Sequence, residues 1–221
     1  MSVTAILEEI RRSPTLPELV QDLQTLLDAE RARREKFYED ITEEEKAEFI
    51  NGEVIVHSPA TDVHLVVKDN LHRLLAVHAE LHRLGKARGE KALCVFPRND
   101  YEPDVCFFGP AKSAKIKPAT LKFPIPDFIA EVLSDSTQKR DRGEKFHDYE
   151  AHGVEEYWII DPNREILEQY LLRRGRYELA LKSGTGDVRS RVVAGFVIPV
   201  RALFDSALNL RVMQQQLQQA A

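Results

Sequence analysis

The stretch Asp127-Phe128-Ile129-Ala130-Glu131-Val132-Leu133-Ser134-Asp135-Ser136-Thr137 decides how the chain is read. Its apolar run, residues 128–133, has the length and bounded character of a buried strand. A helix is expected from about residue 137 to 152, with Ser134, Ser136 and Thr137 able to cap it and Gly153 to end it. Residues 156–161 then read as a second buried strand, closed by the turn Pro162-Asn163.

Upstream, the apolar runs 92–96 and 105–108 flank a turn at 97–100, and a Lys/Pro/Ala-rich loop covers 109–122. Residues 62–84 keep helical spacing through Val63, Val66, Val67, Leu71, Leu74, Leu75 and Leu81, with Gly85 as a natural stop. Residues 48–56 predict two short strands about Asn51-Gly52. Downstream, 166–172, 177–181 and 192–200 read as strands, and 201–208 as a short helix. This order predicts an α/β (α+β) domain, a mixed β-sheet flanked by helices. Residues 1–40 read as an N-terminal helical extension, 41–210 as the domain, and 211–221 as a Gln-rich tail, frayed over 214–221.

The formal charge of −5 is uneven, because residues 1–50 hold 7 Lys+Arg against 13 Asp+Glu, which leaves 24 and 23 in the remainder. The domain itself is near neutral, which neither favours nor disfavours a phosphate-bearing partner. Leu19, Val20, Leu23, Leu26 and Leu27 form one apolar face on the acidic arm, and a homo-oligomer, a dimer, is expected from it. No apolar run approaches the roughly 18 residues of a membrane span, so a cytoplasmic protein without membrane contact is expected. The two cysteines, Cys94 and Cys106, lie in apolar runs without metal spacing. The sequence has no GxGxxG, GxxxxGK[ST] or GxSxG, so dinucleotide, P-loop and nucleophile-elbow chemistry lack support. His64, His72, His78 and His82 fall on the 62–84 segment; His78 and His82 are four apart, but no acidic or Cys partner follows them at a matching offset, and the histidines read as surface or core.

Two carboxylates stand where carboxylates are costly. Asp104 heads the run 105–108, and Glu131 lies inside the run 128–133, so each needs a cation, a hydrogen bond or a proton. On neighbouring strands they would make a divalent-metal site; equally, Asp104 could cap a turn and Glu131 pair with an arginine.

Pro103-Asp104-Val105, the segment 129–137, Asp141-Arg142-Gly143-Glu144-Lys145, Tyr149 and Gly153-Val154-Glu155-Glu156-Tyr157-Trp158-Ile159-Ile160-Asp161-Pro162 together resemble the Uma2 family. Residues 48–53, and His64 after Ser58-Pro59, match as well. This bacterial family is restriction-endonuclease-like, with a PD-(D/E)xK nuclease core. The resemblance covers about residues 45–205 and implies a Mg²⁺-dependent endonuclease acting on DNA, with Mn²⁺ as an alternative ion. It makes Asp104 the Asp of the PD pair and Glu131 the acidic residue of (D/E)xK. The lysine two residues on is replaced by Leu133, and the resemblance moves that role to Lys145; the bland alternative is an exposed lysine paired with Asp141. Asp104 and Glu131, with the Val132 carbonyl, are the implied metal ligands, and Lys145 the group that orients water. Glu48 and His64 are implied as an extra ligand and a phosphate or water contact. A catalytically inactive nucleic-acid or protein interaction module on the same fold is the competing reading.

Overall fold

The computed structural model describes residues 3–42 and 44–219. After helices α1 (Val3–Arg11) and α2 (Leu16–Asp40), the Asn51-Gly52 turn joins β1 (Ala47–Ile50) to β2 (Glu53–Val56). Asn51 and Gly52 both take positive φ, which a two-residue hairpin turn demands. Helix α3 spans Asp62–Leu81, and β3 (Lys86–Gly89), β4 (Leu93–Val95), β5 (Asp100–Tyr101) and β6 (Val105–Phe108) follow. The loop expected over 109–122 contains one helical turn, α4 (Pro110–Ser113), and ends in β7 (Lys122–Phe123). Then come β8 (Phe128–Val132), α5 (Gln138–Asp141), α6 (Glu144–Ala151), β9 (Glu156–Asp161), β10 (Ile166–Arg173), β11 (Arg176–Ser183), β12 (Asp187–Arg189) and β13 (Val197–Pro199). A 3₁₀ turn at Val200–Leu203 leads into α7 (Ser206–Gln219).

The main sheet has the order β11-β10-β9-β8-β6-β3. Only β8 and β9 run parallel in it, with α5 and α6 as their crossover; every other pairing is antiparallel. A second sheet, β2-β1-β5-β4-β7, carries the N-terminal hairpin. Strand alternation divides the core in two. Phe128, Ala130 and Val132 join Leu71, Leu74, Leu75, Trp158 and Ile160 beneath α3 and α7. Ile129 and Leu133 face the other way, among Tyr101, Cys106, Phe108, Tyr149, Tyr157 and Ile159.

Several expectations change. The strand expected over 192–200 is confined to β13, and the short helix expected over 201–208 is a 3₁₀ turn followed by the longer α7. The single helix over 137–152 is two helices, broken at Gly143, where a Cβ would stand 2.7 Å from the Lys139 carbonyl oxygen. The break lets α6 set its own direction over the sheet. The Gln-rich segment does not fray, since α7 stays helical to Gln219 and docks on α3; Asn209 donates to the Asn70 and Ala202 carbonyls. Residues 220 and 221 of that expectation, like 1 and 2 of the arm, lie outside the described residues. Finally, α2 is two things at once. Its Leu23, Leu26 and Leu27 are exposed, but Phe37 is buried, Arg34 pairs with Asp100, and Tyr38 donates to the same carboxylate.

Candidate active site

Asp104 lies in the bend just before β6, and Glu131 lies near the end of the adjacent β8. Because Val105 pairs with Ala130, the two carboxylates meet at one end of this ladder. They interlock through the backbone. The Asp104 N–H donates to Glu131 Oε2 at 3.3 Å, and the Val132 N–H donates to Asp104 Oδ2 at 2.9 Å. Both side chains are buried.

Alternation puts Glu131 on the face covered by α6, and the turn at Gly143 aims that helix so that Lys145 reaches it. The Lys145 Nζ lies 3.0 Å from Glu131 Oε1, 2.9 Å from Glu48 Oε1 and 3.6 Å from Asp141 Oδ1. Lys145 is 2% exposed, so it is an enclosed cation and not an exposed helix lysine. Tyr149, one helical turn on, donates to the same Glu131 oxygen at 2.9 Å. Leu133 packs in the apolar core on this face, consistent with a strand position that holds no charge.

Glu48, from β1 of the second sheet, accepts from the Glu102 N–H and pairs with His57 at 2.9 Å. It reaches the Asp104–Glu131 pair through Lys145. On the opposite side of Asp104, Lys46 donates to Oδ1 at 2.8 Å, and His64 Nε2 stands 3.5 Å from Oδ2. His64, which the resemblance implies as a phosphate or water contact, meets its acidic neighbour Asp104 from the bend before β6, 40 residues away in sequence. His64, Glu90 and Asp104 present ligand atoms that all lie within 4.8 Å of one another.

Four buried carboxylates, Glu48, Asp104, Glu131 and Asp141, thus share two ammonium groups, and their protonation reflects who holds them. Burial would raise Glu48, but Lys145, then His57, hold it at about 2. Asp104 is likewise held well below the ordinary range, by Lys46 and His64 against the burial effect. For Glu131 burial prevails, helped by the charges of Asp104, Asp141 and Glu48 against Lys145, and pushes it up to about 8. Burial also raises Asp141, neither of whose oxygens has a hydrogen-bond partner. The cluster is short of positive charge, and an all-oxygen donor set in that state suits a hard dication.

Lys46, His57 and Glu90 are site residues that the sequence reading missed, whereas Asp141 and Tyr149 stood in the family motifs without a site role. Lys46 follows the acidic residues Glu44 and Glu45 in a segment without periodicity, and Glu90 follows a strand end; neither carries a local signal.

A family model matches residues 34–201, under the description "Putative restriction endonuclease" and the name Uma2. The chain belongs to the Uma2 family. Its match starts inside α2, at Arg34, the residue that ties that helix to Asp100. A crystal structure of "a putative nuclease belonging to DUF820 from Anabaena variabilis ATCC 29413" superposes with a TM-score of 0.67 at 19% identity, covering 77% of this chain and 96% of that one. It shows that the Uma2 chain has a nuclease-like fold. No curated protein matches the sequence. Membership in this family supports nuclease activity with a divalent metal cofactor. No helix among the described residues is long and apolar enough to cross a membrane.

Proposed function

We propose that this Uma2 protein is a Mg²⁺-dependent endonuclease that hydrolyses DNA phosphodiester bonds at a PD-(D/E)xK-type site built from Asp104, Glu131 and Lys145. The observation that carries the reading is the interlocked pair: Asp104 and Glu131 on adjacent strands, joined through each other's backbone, with the Lys145 ammonium 3.0 Å from Glu131. The lysine absent at position 133 is supplied from the crossover helix instead.

Asp104 and Glu131, with the Val132 carbonyl and Glu48 as further oxygen donors, would hold the ion. A dication held there supplies charge neutralisation at the scissile phosphate and a lowered pKa for bound water. Lys145 holds Glu48 ionised and stands beside Glu131 and Asp141, and its charge adjoins the place where phosphoryl charge develops. Lys46, whose side chain is 19% exposed, presents a second, more accessible ammonium beside Asp104. His64 offers a contact for water or phosphate beside Asp104. Self-association through the exposed Leu23, Leu26 and Leu27 belongs to the same reading.

The enclosure of Lys145 by three carboxylates favours a second reading, an interaction module whose lysine only balances charge. One experiment separates them. With Mg²⁺ present, the wild-type protein is expected to nick and linearise supercoiled plasmid DNA, and Asp104→Asn to lose on the order of 10² to 10³ in rate. DNA retention without cleavage, the same in both proteins, would establish the module.

A further inference from the structure

The other side of Asp104 holds a second set of ligand atoms. Gly89 at the end of β3 pairs with Val105 at the start of β6, and the register carried one residue on sets Glu90 beside Asp104. His64, in the first turn of α3, leans over the same place. Two ligands on opposite sides of one ion with bonds of about 2.1 Å stand about 4.2 Å apart. The three groups lie within 4.8 Å of one another, so slight closure brings them around a single ion.

One further observation points to a cation there. His64 is buried, and its Nε2 lies 3.5 Å from Asp104 while its Nδ1 has no hydrogen-bond partner, so the imidazole is left unsatisfied at Nδ1. The two carboxylates, in turn, already draw ammonium groups: Lys46 lies 2.8 Å from Asp104, and Lys68 lies 3.0 Å from Glu90. Lys68 stands one helical turn after His64, on the same face of α3. A metal ion bound here would displace these two ammonium groups from the carboxylates.

We propose that His64, Glu90 and Asp104 form a binding site for a first-row transition-metal dication, with Mn²⁺ bound in preference to Mg²⁺. An imidazole ligand is what sets the preference, since Mg²⁺ favours oxygen donors and gives up water reluctantly, whereas Mn²⁺ accepts nitrogen more readily. The site shares Asp104 with the nuclease reading above and rests on it only to that extent. Glu90 is the distinguishing residue, because the pair Asp104–Glu131 does not need it.

The test is titration of the full chain with Mn²⁺, followed by loss of the free-ion paramagnetic resonance signal, and with Mg²⁺ by calorimetry, with thermal unfolding to confirm that each variant folds. The wild-type protein is expected to bind Mn²⁺ at least about tenfold more tightly than Mg²⁺, and Glu90→Gln and His64→Asn each to weaken Mn²⁺ by about tenfold or more. If Glu90→Gln binds Mn²⁺ as the wild type does while Glu131→Gln loses it, the His64–Glu90–Asp104 site is overturned and the Asp104–Glu131 reading survives. If Glu90→Gln loses Mn²⁺ but the wild-type protein cleaves no DNA, the site stands and the nuclease reading falls. A wild-type protein that binds no Mn²⁺ overturns the site outright.

Discussion

The two faces of β8 are built from the same five-residue strand and held by opposite means. On one face Phe128, Ala130 and Val132 meet the leucines of α3 in an apolar layer. On the other, Glu131 stands between Ile129 and Leu133 and is held by Lys145, Tyr149 and the Asp104 amide. The apolar face is stabilised by area and close packing, which are indifferent to pH. The charged face is stabilised only while each carboxylate has its cation or its proton. The difference teaches that this strand is a scaffold on one side and a charge-holding device on the other.

The strongest way to break that contrast is Lys145→Met. It leaves Glu48, Glu131 and Asp141 buried without their shared cation, at an expected cost of about 3–5 kcal/mol in urea unfolding near pH 8. Because the stranded carboxylates can take up protons, the deficit should shrink as the pH is lowered. A deficit equal at pH 8 and pH 5 would mean that lost packing, not lost charge, is responsible.

Leu74→Ala on the apolar side is the matched control. Its expected cost is about 2–5 kcal/mol, through the transfer and cavity terms, and it should be the same at both pH values. Curves for the two variants that move together with pH would erase the contrast.

A smaller effect sharpens it two strands away, on β10. Burial pushes Glu168 up, but hydrogen bonds from Arg142, Lys182 and Tyr170 hold it down to about 2 from an ordinary 4.5. A depressed carboxyl stabilises the fold above its unfolded pKa and loses that contribution as pH falls through the folded value. Glu168→Gln should therefore flatten the decline in stability between pH 4.5 and 2, as acid unfolding followed by circular dichroism would show. An unchanged acid limb would remove this cluster from the account.

The smallest effect is expected from removing residues 1–27. The exposed Val20, Leu23, Leu26 and Leu27 go, while Arg34, Phe37 and Tyr38 stay, so domain stability should change by no more than about 0.5 kcal/mol. The mass seen by light scattering should fall if this face joins copies. An unchanged mass would exclude it as a self-association surface.

Much of the fold was legible because burial repeats in sequence with a period. The apolar run of residues 128–133, the helical spacing of 62–84 and the Asn51-Gly52 turn each lead to the element observed. The break at Gly143 was not legible, since a glycine between charged residues reads equally as a tolerated helix interior; the clash with the Lys139 carbonyl exists only in the folded geometry. Asp104 and Glu131 stood out as charges beside apolar strands. Lys46 and Glu90 did not, because polar residues in connecting segments look alike whether or not they turn inward.

What the sequence determined by itself is the face on which each strand residue lies and the order of the motifs that mark the Uma2 family. Period-two alternation commits Glu131 to the side of Ile129 and Leu133 before any tertiary contact forms. Which cation each carboxylate receives was decided only by the tertiary structure. Lys46 stands 58 residues from Asp104 along the chain, and Lys145 stands 14 from Glu131, yet both pair at 3.0 Å or less. Buried charge pairing depends on distances of a few ångströms and on the exclusion of water, and both are properties of packed surfaces, not of spacing along a chain.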